Sequence, residues 1–139
     1  MKTEKVSVNL SPVELGKIDY LVEQGLYDGR SDFIRTAVRK ALELEGTMVQ
    51  KFIESTALPE TQTHDIYVIG INRISKREIT DAIAIGKKIR IRMIGLLSIS
   101  DSVTAEEVKQ AIKACKVFGK IVASKEVKEA LKEIEEGAD

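Results

Sequence analysis

The 139-residue chain has one cysteine, Cys115, and one histidine, His64. A lone cysteine excludes an internal disulfide framework and suits a reducing compartment, so the expected setting is cytoplasmic. One His and one Cys are also too few for a His/Cys metal site within a single chain. No run approaches 18 apolar residues, and the opening MKTEKVSVNL alternates charge with apolarity. Both features argue against a membrane span and against a secretory signal. Neither G-x-x-x-x-G-K-S/T nor G-x-G-x-x-G occurs, so no phosphate loop is expected. A surplus of either charge is missing too: 22 basic residues balance 22 acidic ones, and the formal net charge is zero. Such a chain has no bulk attraction for nucleic acid, and any DNA binding has to come from locally placed charges. What remains is a hydrophobic fraction of 43%, ordinary for a globular chain, in a length that fits one domain or two very small ones.

The balance is uneven along the chain. Residues 73–92 hold seven cations (Arg73, Lys76, Arg77, Lys87, Lys88, Arg90 and Arg92) against Glu78 and Asp81. This basic stretch reads either as a phosphate-facing surface or as the solvated edge of a strand. The second reading rests on the alternation of Lys88, Arg90 and Arg92 with Ile89, Ile91 and Met93.

From Lys5 to Leu10 polar and apolar residues alternate, with Lys5, Ser7 and Asn9 on one face and Val6, Val8 and Leu10 on the other. Period two predicts a strand with a single buried face. Ser11-Pro12-Val13-Glu14 then carries a helix cap, a proline suited to the first turn and the glutamate of a capping box. A first helix with Val13, Ile18, Leu21 and Val22 on one stripe should end near Gln24-Gly25. Tyr27 to Arg30 reads as a turn, and Ser31 as the cap of a second helix bearing Phe33, Ile34, Ala37, Val38, Ala41 and Leu42. One strand and two short helices bury too little to stand alone, and the strand has no partner in its own segment. Pairing with the same strand of a second chain answers both needs, so an obligate dimer is expected.

Residues 47–65 read as an extension of the second helix, through Met48, Val49, Phe52 and Ile53, followed by a linker over Ser55 to Asp65 containing Pro59. Residues 66–139 repeat. Gly70, Gly95 and Gly119 stand 25 and 24 residues apart, a serine follows five residues later each time (Ser75, Ser100, Ser124), and EITDAI, EVKQAI and EVKEAL come next. Each unit reads as strand, glycine turn or bulge, short strand and serine-capped helix, with Gly70, Gly95 and Gly119 needing positive φ. Three such units fit a small solenoid-like α/β domain with parallel strands. Glu78, Glu107 and Glu126 fall in helix first turns, where the dipole favours acids, and carry no catalytic signal. Cys115 reads as a small helix-end residue and His64 as a surface residue of the linker.

Residues 4–45, through the strand KVSVNL, the Ser-Pro helix start and the turn and second helix in GRSDFIRTAVRKAL, resemble the ribbon-helix-helix family of Arc, MetJ and CopG type regulators. The resemblance implies that two strands pair across a homodimer and enter the DNA major groove. Base-reading residues would then be Lys5, Ser7 and Asn9: lysine can donate to guanine, asparagine can pair bidentately with adenine, and serine is ambivalent. Backbone N–H groups at Ser31 and Asp32, with the helix dipole, would meet a phosphate, and Arg30 would add a salt-dependent contact. Asp32 departs from what an anion site needs, unless its side chain caps the helix. Some members carry a His-rich nickel-sensing domain, for which a single His gives no support.

The expected fold class is α+β: a ribbon-helix-helix intertwined dimer over residues 1–46, then about three strand–helix repeats. The expected function is sequence-specific binding of double-stranded DNA by a transcriptional repressor, with no enzyme activity, no catalytic residues, no cofactor and no metal. The repeat domain would serve oligomerisation, up to a tetramer, or binding of an effector or protein partner. The competing reading is an antitoxin or scaffold that acts mainly through protein–protein binding.

Overall fold

The computed structural model describes residues 3–54 and 63–136. The chain divides into two compact units, Met1–Met48 and Val49–Asp139.

In the first unit α1 (Pro12–Glu23) opens as the sequence implies. Ser11 Oγ accepts from the Glu14 N–H at 3.1 Å, and Glu14 returns the favour by accepting from the Ser11 N–H at 3.2 Å. Those bonds to Ser11, the side-chain one first, hold the Glu14 carboxyl below its ordinary range. The next helix, α2, spans Arg30–Leu44, and Ile18 of α1 is buried. Tyr27 and Phe33 meet edge to face at 4.9 Å across the turn between them. Ser31 does not cap α2. The helix begins at Arg30, two residues earlier than a Ser31 cap implies, with Gly29 in the capping position and no side chain bonded there. Nor does α2 run on to Ile53: it stops at Leu44, and after a turn at Glu45 a separate helix, α3, spans Gly46–Glu54. Residues 3–10 form no ladder with any described segment of their own chain. A strand is defined by its neighbour, so its expected pairing awaits a second chain.

The second unit contains three strands, β1 (Thr63–Ile74), β2 (Lys88–Ile99) and β3 (Ile112–Val122). They alternate with α4 (Lys76–Ile85), α5 (Ala105–Ala111) and α6 (Lys125–Glu136). The strands are parallel and lie in sequence order β1-β2-β3. One side of the sheet is covered: Ile91, Met93, Leu97 and Ile99 pack with Ile79 of α4, Val108 of α5 and Val127 and Leu131 of α6. These side chains are almost wholly removed from water and make the only core cluster among the described residues.

Three details differ from the expectation. Gly70, Gly95 and Gly119 do not make turns; each sits inside a continuous strand, in register across the sheet, with φ of 138°, 136° and 128°. The reason is proximity. A Cβ built on Gly95 would lie 1.9 Å from the Gly70 carbonyl oxygen, and one on Gly119 would lie 2.0 Å from that of Gly95. Second, Ser75 and Ser124 cap α4 and α6 through the N–H groups of Glu78 and Val127, but Ser100 does not cap α5. Thr104 does so in a full capping box with Glu107, because the second repeat has a longer approach to its helix, and Ser100 accepts from the Ser102 N–H instead. Third, Cys115 is a buried residue of β3 and His64 belongs to β1, so strand residues begin at Thr63 rather than after Asp65. The rest of the expected linker, residues 55–62, lies outside the described residues.

Gly95→Ala should therefore be strongly destabilising, by about 2–4 kcal/mol, since backbone strain and a backbone clash act together. Equilibrium denaturant unfolding followed by circular dichroism would measure it.

Candidate nucleic-acid interface

Along residues 5–9 the polar side chains Lys5, Ser7 and Asn9 are exposed, as sequence periodicity places them on one face. On the other face Val6 and Val8 are also exposed, 80% and 67%, while Leu10 is half-buried. Val8 and Leu10 border an open, almost wholly apolar groove of about 490 Å³ whose walls include Ile18 of α1 and Phe33, Ile34 and Val38 of α2. Apolar surface of this kind is costly to leave in water and fits a partner.

The start of α2 gathers the three residues tied to phosphate. No side chain caps its first amides, so the N–H groups of the first turn and the positive end of the dipole face outward. Asp32 turns back on the loop and accepts from the Asp28 N–H at 3.0 Å. Its charge is thus engaged in closing the turn. Arg30 grips Asp19 of α1 in a bidentate pair, Nε to Oδ1 and Nη2 to Oδ2, both 2.8 Å. That hydrogen-bonded pair lowers the Asp19 carboxyl below its ordinary 3.8 and raises the Arg30 guanidinium. Asp19 carried no signal in the sequence, because the contact spans eleven residues and depends on how α1 meets α2.

The basic stretch 73–92 is largely occupied within its own unit. Arg90 makes a bidentate pair with Asp65, directly opposite on β1, at 2.8 Å, both side chains being less than a fifth exposed. Arg92 donates to the Phe52 carbonyl at 2.7 Å and stacks 4.2 Å from the centre of that ring. Lys76 pairs with Glu107, and Lys88 bonds the Gln110 carbonyl. Alternation was a sound guide to the strand, but its arginine face is half-buried and bonded rather than solvated.

Two helices form an open apolar groove beside an alternating segment that pairs with no described strand. The chain belongs to the ribbon-helix-helix transcriptional regulator family, whose profile matches residues 1–128. The match extends well beyond the first third, through the strand–helix repeats into α6, so the repeats are part of what defines the family match. This places the protein among transcriptional regulators that bind DNA. Comparison with curated proteins and with solved structures gives no significant match. Among the described residues no helix is long and apolar enough to cross a membrane, and no group of three or more His, Cys, Asp or Glu side chains could hold a metal ion.

The Arg30–Asp19 pair has a pH signature. A carboxyl lowered in the folded state adds stability above its unfolded value of 3.8, and the gain is lost as pH falls through the lower folded value. Asp19→Asn should lower the unfolding midpoint slightly near neutrality, where the pair is intact, and the difference from the unaltered chain should vanish below about pH 4, which flattens the acid limb. Thermal melts at stepped pH would show it.

Proposed function

We propose that the protein is a repressor that acts in the cytoplasm as a homodimer and reads a specific site in the DNA major groove. Residues 5–10 of two chains pair as an antiparallel ribbon, which brings Val8 and Leu10 over the paired grooves and turns Lys5, Ser7 and Asn9 outward. That division of one segment into an apolar side at the groove and a polar side in solvent is the observation that carries the reading. A two-stranded ribbon fits the major groove, where lysine and asparagine can tell guanine from adenine.

The first turn of α2 anchors the ribbon on the sugar–phosphate backbone. The N–H groups at Ser31 and Asp32 meet a phosphate oxygen, and Arg30 adds charge. Two of the five N–H donors of Arg30 are committed to Asp19, so the guanidinium is held in place and still has donors to offer. A dimer brings two such anchors, so the zero net charge of the chain is no obstacle.

Lys5→Ala and Asn9→Ala should each weaken binding to a site selected from a random DNA pool by about 1–3 kcal/mol, roughly 5- to 150-fold, with non-specific binding nearly unchanged. Fluorescence anisotropy on selected and scrambled duplexes would read this, and equal losses on both would defeat the base-reading role. Val38→Asp, which puts a charge on the groove wall, should abolish the first unit's pairing and with it specific binding; cross-linking through residues 3–10 reports that pairing directly.

A further inference from the structure

We propose that the strand–helix unit is an open-ended stack whose β3 edge receives the β1 edge of a second copy of this chain. The two strands run parallel, Gly119 of one copy beside Gly70 of the next. This contact is separate from the pairing of residues 5–10 and does not depend on DNA.

The glycine ladder is directional. The Cβ position of Gly95 points at the Gly70 carbonyl, and that of Gly119 points at the Gly95 carbonyl. Gly70 has the same backbone conformation, with φ of 138°, yet among the described residues nothing lies within 4 Å of its Cβ position. Its free side has the shape that elsewhere in the sheet receives the carbonyl of a preceding glycine. Gly119, in the same conformation, presents such a carbonyl on the outer edge of β3. The two outer edges are therefore complementary to each other, whereas joining like edges would set carbonyl against carbonyl or bare glycine against bare glycine.

Exposure tells the same story. On the face opposite the helices, the large apolar side chains left 44–51% exposed are Ile69 and Ile71 of β1 and Phe118 and Val122 of β3. Their neighbours on β2, Ile94 and Leu96, are flanked on both sides and only half-exposed or less. Continuing the register sets Phe118 beside Ile69, Lys120 beside Ile71 and Val122 beside Arg73, with no like charges opposed.

The first and last repeats carry the same mid-strand glycine as the internal one, in the same backbone conformation. Among the described residues no further strand pairs with either outer edge, and no β-bulge interrupts the register of β1 with β2, so both edges can receive another strand.

The test uses the full chain with Cys115→Ala and one new thiol on each edge, Ile71→Cys or Lys120→Cys. Each variant is checked for native circular dichroism and then treated, alone and mixed, with a short bis-maleimide. The expected result is a 71–120 link by mass spectrometry in the mixture and its loss in either variant alone. The chain carrying both thiols should give ladders beyond two copies. Links of 71 to 71 or 120 to 120 in the single variants, or no 71–120 link in the mixture, would overturn the proposal. Light scattering on the unaltered chain supplies a second measurement: mass rising with concentration past two copies supports it, and a mass fixed at two copies across the same range refutes it.

Discussion

The carbonyl oxygens of Gly70 and Gly95 each occupy the space where the next strand would otherwise carry a Cβ. This contact fixes the rest of the second unit. A slip of one residue would drive a side chain into a backbone oxygen and turn every side chain to the wrong face, so sterics and burial select the same register. With the register set, Ile91, Met93, Leu97 and Ile99 face the helices together, and Asp65 comes directly opposite Arg90. The helices then have to fit between strands of fixed spacing. α4 spans ten residues and follows its cap directly; α5 spans seven after a longer turn, and the glycine interval barely changes.

The same register explains the central basic stretch. Parallel sheets are ordinarily covered on both faces, and here α4, α5 and α6 pack on one while Phe52 of α3 meets the other. On the other face the cationic side chains do part of the covering. Arg92 lies over Phe52, Arg90 closes on Asp65, and Phe52 meets Phe118 edge to face at 5.1 Å. A guanidinium stem lying flat on apolar surface shields it while its donors stay satisfied. The local surplus of positive charge is thus an architectural feature of the sheet.

What could be read from the sequence followed locality. Capping of α1 by Ser11 and Glu14, and of α4 by Ser75, rests on residues three apart, and these bonds form as their spacing implies. Tertiary contacts could not be read in that way. The glycines looked like turns because glycine in a strand pattern more often interrupts than continues; only the neighbouring strand's carbonyl explains why they sit mid-strand. Thr104 displaced Ser100 as a cap because the repeat changed length at that point. Asp19 as the partner of Arg30 needed the packing of α1 on α2. The strand expected over residues 5–10 forms no ladder among the described residues, because a strand needs a neighbour and alternation alone supplies none.

The two contacts proposed for a second copy differ in kind. In the proposed homodimer the groove of the first unit faces the same groove of its partner, a twofold contact that closes after two copies. The edges of the second unit differ from each other, so joining them leaves one β1 edge and one β3 edge still exposed, and the contact does not close unless the copies come round in a ring. A chain carrying both proposed contacts, one closed and one open, would link dimers into longer assemblies without any third surface. The marginal size of each unit points the same way: three short repeats and a two-helix unit bury little alone. In such a molecule stability and assembly are the same quantity, and the concentration of chains governs both.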